Sequence, residues 1–293
     1  MTRLPVLLSF LLFGAGAANL NDRVQSAIQG FRGTVSIYAK NLDTGKTFDL
    51  KGDQPVRTAS TIKLPIMVAV FRAVEEGRAT WNETLLLRDE DKVSGSGVLH
   101  EFSGGVRLPL QDVMHLMIVV SDNTATNLIL DRITADAVNL EMDRYGFAQT
   151  RSLRKVRGDG NDLKAPSGWS KAGQLEKNKR FGLGVSTPHE MVLLLEKIAA
   201  GQAVSAAASK EMMEVLKRQQ YKDGIGRRLG DLAVASKSGA LDALRSDVGI
   251  VFAKTGRIAI AITVDDMPKI DYTADNAGNI LIADLAKILV EML

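Results

Sequence analysis

The residues RTASTIKLPIM, 57–67, stand where one pattern of the chain gives way to another. Before them, GTVSIYAK (33–40) and KTFDL (46–50) alternate apolar and polar residues around a turn at 41–45, the mark of a β-hairpin. A short helix precedes that hairpin, with Val24, Ala27, Ile28 and Phe31 on one face of 22–31. After residue 60, apolar residues recur at helical spacing over 64–74, 110–120, 125–133 and 135–145, the last closed by Gly146. Pro109 suits a first helical turn, whereas Pro65 should distort its helix locally. Strand pattern returns late, in LAVASKSG (232–239), SDVGIVFA (246–253) and RIAIAITVDD (257–266), followed by an amphipathic helix through Ile280, Ala283, Leu285, Ile288, Leu289 and Met292. Strands at both ends with helices between predict an α/β (α+β) fold: a sheet built from distant segments, with a helical insertion. No internal repeat or low-complexity tract interrupts this plan.

At 293 residues and 45% hydrophobic, the chain can build a large core without staples. It has no cysteine, which excludes disulfides, a thiol nucleophile and every cysteine-ligated metal. Its three histidines are scattered at 100, 115 and 189, and no metal or cofactor is expected. His189-Glu190 lacks the second histidine of a metalloprotease; Thr187-Pro188-His189-Glu190 reads instead as a capping box, with Glu190 reaching back to the threonine. A net charge of +3, spread among acids, gives no support to a nucleic-acid partner.

Two segments stand apart. Arg3, an apolar run at 4–13 and the small residues 14–18 read as a signal peptide, 1–18, which predicts a periplasmic or secreted bacterial protein. A membrane anchor needs about 20 apolar residues, more than Pro5 and the polar Asn19, Asn21 and Asp22 allow, so no stable span is expected after leader removal. The second segment, 147–186, has no clear periodicity and is long for a structureless connection, which suggests a loop packed over a site. Within it, 151–180 holds nine Lys or Arg against Asp159, Asp162 and Glu176. That excess is either a solvated face or an attraction for an anionic substrate or envelope polymer.

Within 57–67, Ser60 precedes Lys63 by three residues, so both lie on one side of a helix start where backbone N–H groups and the dipole gather. The spacing alone is weak evidence, because Ser152-Leu153-Arg154-Lys155 repeats it. For Lys63 to accept a proton near neutrality it must be desolvated, by Ile62, Ile66 and Met67, and must have a second cation nearby. Lys237, at the end of a strand in SKSG, is the candidate, and the two amines are expected to converge on the Ser60 hydroxyl. A third polar element, Ser121-Asp122-Asn123, interrupts apolar helix pattern; it reads as an N-cap for a helix starting at Thr124, with Ser121 left to point elsewhere.

Together, in the order S-x-x-K, S-D-N, K-S-G, these elements make the chain resemble the serine β-lactamase and penicillin-binding protein superfamily, most of all class A β-lactamases, over nearly the whole mature length. The early hairpin, the loop SGSGVL (94–99) and the closing strands and helix belong to the likeness. It implies an antiparallel five-stranded sheet with flanking helices from both chain ends, formed by 19–57 and 205–293, and an all-helical domain over 58–204. It implies Ser60 as nucleophile, Lys63 as its proton acceptor and Ser121 as the shuttle to the leaving nitrogen. Asn123 would hold the substrate's side-chain amide, and Lys237 and Ser238 its carboxylate, with Arg245 assisting. Gly239 would leave room for a strand-like substrate, and the N–H groups of Ser60 and Ala240 would form the oxyanion hole.

The chain departs from class A at one point. The E-x-x-L-N pattern, whose glutamate activates the deacylating water, is missing, and Asp159, Asp162 and Glu176 are the candidate substitutes. Three functions are in play: a monomeric β-lactam hydrolase with altered deacylation, a D-alanyl-D-alanine peptidase or penicillin-binding protein, and a non-turnover envelope-binding protein.

Overall fold

The computed structural model describes residues 19–158 and 168–293; the proposed leader lies outside them. Helix α1 (Leu20–Ile28) leads into strands β1 (Thr34–Asn41), β2 (Thr47–Leu50) and β3 (Val56–Arg57), then a 3-10 turn at Ala59–Ile62. Next come α2 (Lys63–Glu75), β4 (Thr84–Leu86), β5 (Arg107–Pro109), α3 (Leu110–Val119), α4 (Asn123–Ile133), α5 (Ala135–Arg144) and β6 (Arg151–Ser152). The single turns α6 (Lys171–Gln174) and α7 (Glu176–Lys179), β7 (Gly184–Ser186), α8 (Pro188–Ala199) and α9 (Ala206–Lys217) follow. Strands β8 (Val234–Leu241), β9 (Leu244–Ala253), β10 (Gly256–Asp265) and helix α10 (Ala277–Met292) close the chain. The result is the expected mixed fold: an antiparallel five-stranded sheet ordered β2-β1-β10-β9-β8, with helices from both chain ends and a helical insertion.

Two cores meet at that sheet, and β10 explains how. Its Ile258, Ile260, Ile262 and Val264 face α1 and α10, while Ala259 and Ala261 face the inserted helices, so both faces of the strand are buried. The same alternation turns Val248 and Ile250 of β9 toward the helices and Val251 toward α10. On α10, Leu281, Leu285, Ala286 and Leu289 form the packed stripe. Helix α2 is apolar without break from Leu64 to Phe71 and runs through the centre of the insertion, with Leu64, Ile66 and Met67 fully buried. Each such side chain stabilises the fold by roughly 1.5–3 kcal/mol. Lys63, the first residue of this helix, is carried into the same interior.

Several local expectations change. The distortion assigned to Pro65 appears ahead of it, as the 3-10 turn; Pro65 is the third residue of α2, where its missing N–H leaves no bond unmade. Pro109 is the N-cap of α3 and the end of β5. Thr187 caps α8 by accepting from Glu190 N–H, but Glu190 turns away to accept from Gln149 N–H and Thr150 Oγ1. The described part of 147–186 is also more ordered than its composition suggests. There β7 pairs with β3 on one side and β6 on the other, and Thr58 N–H donates to Gly184 O, so this segment is laced to the residues just before Ser60. Arg57 ties the same point to the end of β10 through Asp265.

Candidate active site

The turn that presents Ser60 is held in a strained form. Ala59 has φ +46°, left-handed for a residue with a Cβ, at a cost of roughly 1–2 kcal/mol. Two bonds offset it: Thr61 N–H and Thr61 Oγ1 both donate to Thr58 O, at 3.1 and 2.7 Å. Strand β8, the sheet edge, lies directly against this turn. A Cβ at Gly239 would sit 2.9 Å from both Ser60 N and Thr58 O. The space above Gly239 is therefore filled by the backbone of Thr58 and Ser60, a correction to the expectation that it is kept open for substrate. Ser60 is partly exposed, while Lys63 and Lys237 are fully buried.

Lys63 Nζ donates to Ser121 O at 2.6 Å, Asn123 Oδ1 at 2.9 Å and Ser121 Oγ at 3.2 Å. Lys237 Nζ donates to Ser121 Oγ at 3.0 Å and Ser238 O at 2.7 Å. The two amines do converge on one hydroxyl, but it is that of Ser121, where the sequence reading had put Ser60. Burial holds Lys63 well below the ordinary lysine range, and the charge of Lys237 pushes it further the same way. Burial lowers Lys237 to about 7, against the opposing pull of Asp247. Two ammonium groups cannot share one hydroxyl in a dry interior, so Lys63 is the amine that gives up its proton first.

The segment carrying Ser121 is clamped by its neighbour. Ser121 is left-handed, φ +53°, and Asp122 is both the N-cap of α4 and the anchor of the 94–99 loop. Asp122 accepts from Ala125 N–H at 2.7 Å, Val98 N–H at 2.6 Å and Leu99 N–H at 2.8 Å. Helix α4 accordingly begins at Asn123, one residue before the sequence reading. Asn123 in turn donates through its backbone to Ser96 O and through Nδ2 to Ser94 O. Turn, clamp and loop thus fix the oxygen atoms that Lys63 meets.

Other expected residues fall elsewhere. Arg245 shares a sheet face with Ser238 and Ala240, opposite Lys237, by the pairing Lys237–Val248 and Ala240–Arg245. Its Nη1 donates to Leu241 O and Leu244 O, its Nη2 to Asp271 O, and its guanidinium lies 5.0 Å from the Tyr272 ring. This geometry makes it a clamp on the β8–β9 turn, whereas the resemblance assigned it to a substrate carboxylate. Glu176, on α7, has 86% of its side chain exposed and pairs with Lys179, which is surface chemistry and not that of a positioned base. Asp159 and Asp162 lie outside the described residues. The second S-x-x-K match dissolves, since Ser152 ends β6 and Lys155 pairs with Asp131.

Sequence reasoning missed Asn127 and Val156. Asn127 Nδ2 donates to Val156 O and Val156 N–H donates to Asn127 Oδ1, both at 2.8 Å. Asn127 lies one helical turn beyond Asn123, so the loop is pinned beside the residue that touches Lys63. The loop residue it bonds, Val156, is apolar and only 7% exposed. The i, i+4 amide pair in NTATN was the available signal. Among the described residues, no group of three or more His, Asp or Glu is placed to hold a metal, and no helix is long and apolar enough to cross a membrane.

Known proteins share this fold. A model of the beta-lactamase enzyme family matches residues 19–293. The solved beta-lactamase from Sphaerobacter thermophilus is 31% identical with a TM-score of 0.78, over 92% of this chain and 95% of its own. PBP-A is 28% identical with a TM-score of 0.77, over 93% and 94%, and a mutant of it has been solved as an acyl-enzyme complex with penicillin G. Beta-lactamase AER-1 of Aeromonas hydrophila is 23% identical over 245 residues, 80% of this chain and 74% of its own.

Proposed function

Because the chain belongs to the beta-lactamase enzyme family, we propose that it opens β-lactam rings through an acyl-enzyme on Ser60. The observation that carries this reading is the pair of buried amines meeting on Ser121 Oγ beside the turn that bears Ser60. Lys63, uncharged, takes the Ser60 proton as Oγ attacks the lactam carbonyl. The oxyanion forms against the N–H groups of Ser60 and Ala240, and Ser238 with the Lys237 ammonium receives the substrate carboxylate. When the C–N bond breaks, Ser121 gives its proton to the nitrogen and recovers one from Lys63, leaving an ester on Ser60. Asn123 orients the substrate's side-chain amide. Burying two lysines without an ion-pair partner is expensive, which speaks for chemistry over passive envelope binding.

Deacylation is slow in this reading. The loop residue bonded to Asn127, one helical turn beyond Asn123, is Val156, and an isopropyl group cannot activate water. This one feature also favours the second reading, a penicillin-binding protein acting on D-alanyl-D-alanine peptides, in which the acyl-enzyme persists. The likeness to PBP-A supports the same direction. A chromogenic cephalosporin followed by absorbance and intact mass separates the two: repeated turnover supports the hydrolase, a burst with a lasting adduct the penicillin-binding protein. Val156→Glu should raise the turnover rate if that position faces the ester; unchanged turnover with a folded variant sinks the placement.

Export through residues 1–18, to the periplasm or exterior, belongs to this proposal. N-terminal sequencing of the chain recovered from a fractionated bacterial host tests it, and a cytoplasmic product retaining Met1 would contradict it.

A further inference from the structure

Ser121 is held from both sides along the chain. Downstream stands Asp122, which clamps the 94–99 loop and the start of α4. Upstream stands the last turn of α3, and that turn closes poorly on its own: Val120 N–H reaches Leu116 O only at 3.4 Å, while Asp122 N–H takes the same carbonyl at 3.0 Å. The carbonyls of Ile118 and Val119 are among the final four of the helix, which no intrahelical N–H can serve. Ile118 is fully buried, so its carbonyl needs a donor from elsewhere in the protein.

The donors come from the segment that leaves α9. Gln219 Nε2 donates to Ile118 O at 2.9 Å across 101 residues of chain, and Gln220 N–H donates to Val119 O at 3.1 Å. Arg218 Nη1 donates to His115 Nε2 at 2.9 Å, one turn earlier on α3. Three consecutive residues thus strap one helix end. Gln219 is the centre of the strap: its neighbours from Lys217 to Lys222 are exposed, whereas Gln219 is only 4% exposed. Its Oε1 accepts from Tyr221 N–H at 3.0 Å, so the amide is fixed at both ends with its NH2 turned to α3. A buried polar side chain in an exposed run, spent on a helix end that leads to Ser121, calls for a reason beyond burial.

We propose that Gln219 is a positioning residue for Ser121: by capping α3 it fixes the turn from which Ser121 leaves, and with it the hydroxyl that Lys63 and Lys237 share. It acts through Ser121 and touches no substrate. Ser121 Oγ lies 3.2 Å from Lys63 Nζ and 3.0 Å from Lys237 Nζ, so a helix end that relaxes loosens this relay. Ser60 stands on a different turn, closed by Thr58 O and backed by Gly239, and keeps its place. The step that suffers is therefore proton delivery to the leaving nitrogen. The inference rests on the acylation reading, in which Ser121 makes that delivery, and its test keeps the two apart.

A thioester isolates that step, because a thiolate leaves without a proton whereas a β-lactam nitrogen needs one. The second-order rate of Ser60 acylation is measured by quenched intact mass with penicillin G and with S-phenylacetyl thioglycolate. Four proteins are compared: wild type, Gln219→Met, Ser121→Ala and the double variant. Methionine keeps the length of the side chain and loses its hydrogen-bonding groups. Gln219→Met should slow penicillin G by about tenfold or more and the thioester by no more than about twofold, and should slow neither in the Ser121→Ala background. Equal slowing of the two substrates, equal slowing in both backgrounds, or an unchanged penicillin G rate overturns the inference while leaving acylation intact. A wild type that is never acylated, or Ser121→Ala acylated as fast as wild type, refutes the earlier reading and the inference with it. Should Gln219→Met not fold, Gln219→Asn, which keeps the amide but draws it back from Ile118 O by one methylene, is held to the same outcomes.

Discussion

Replacing Asp122 by Asn exchanges one carboxylate oxygen for an NH2 and should unsettle both the fold and the site. The carboxylate accepts three N–H groups, from Ala125, Val98 and Leu99, at 2.6–2.8 Å in a fully buried position. An amide offers one acceptor oxygen, so it can serve either Ala125 or the Val98–Leu99 pair, and its NH2 then faces a donor. At least one charge-assisted bond, about 1.5–3 kcal/mol, is lost, and the stranded N–H adds about 1–3 kcal/mol. The sum is roughly 3–5 kcal/mol, which for a chain of this size lowers Tm by about 6–20 °C. The loss also reaches the chemistry, because Asn123 is fixed through Ser94 O and Ser96 O of the loop that Asp122 holds, and Asn123 Oδ1 is a partner of Lys63. Acylation measured well below the variant's melting point should fall about tenfold or more. Thermal melts with stopped-flow acylation provide the assay. A Tm within about 2 °C of wild type together with an unchanged acylation rate would refute the reasoning.

Gly239→Ala should push Ser60 N or Thr58 O from its place, 2.9 Å from the new Cβ; acylation falls about a hundredfold or more if Ser60 N–H serves the oxyanion, and an unaffected rate would show the contact to be inconsequential. Lys237 has a folded pKa lowered to about 7 from the ordinary 10.5, so between those values the folded state binds fewer protons than the unfolded one. Its contribution to stability therefore rises with pH through that window, by on the order of a few kcal/mol. Urea melts at pH 7–10 should show a steeper rise for wild type than for Lys237→Met, and parallel curves would contradict the buried charge. Arg245→Ala should lower Tm through the loss of three carbonyl bonds while leaving KM for a carboxylate-bearing lactam little changed; a large rise in KM at unchanged stability would restore it to the substrate site.

The chemistry was legible in the sequence where it depends on short spacings. Ser60 with Lys63 is one helical turn, Ser121 to Asn123 is a break in an apolar run, and Lys237 to Gly239 ends a strand; each leaves a local mark. The main sheet was legible for the same reason, since β8, β9 and β10 are runs of 8–10 residues dense in Val, Ile and Ala. What stayed hidden depends on partners far along the chain. Two-residue strands such as β3 and β6 are too short to show a period, so 147–186 read as an unbroken loop. The burden on Asp122, the contact at Gly239 and the clamp at Arg245 are backbone meetings between segments that no spacing records.

The most direct test of the account is where penicillin G attaches. Intact mass followed by peptide mapping should find one adduct per chain, on Ser60, formed by wild type and lost in Ser60→Ala. An adduct retained in Ser60→Ala, mapped to another residue, or never formed by the folded wild type would contradict it.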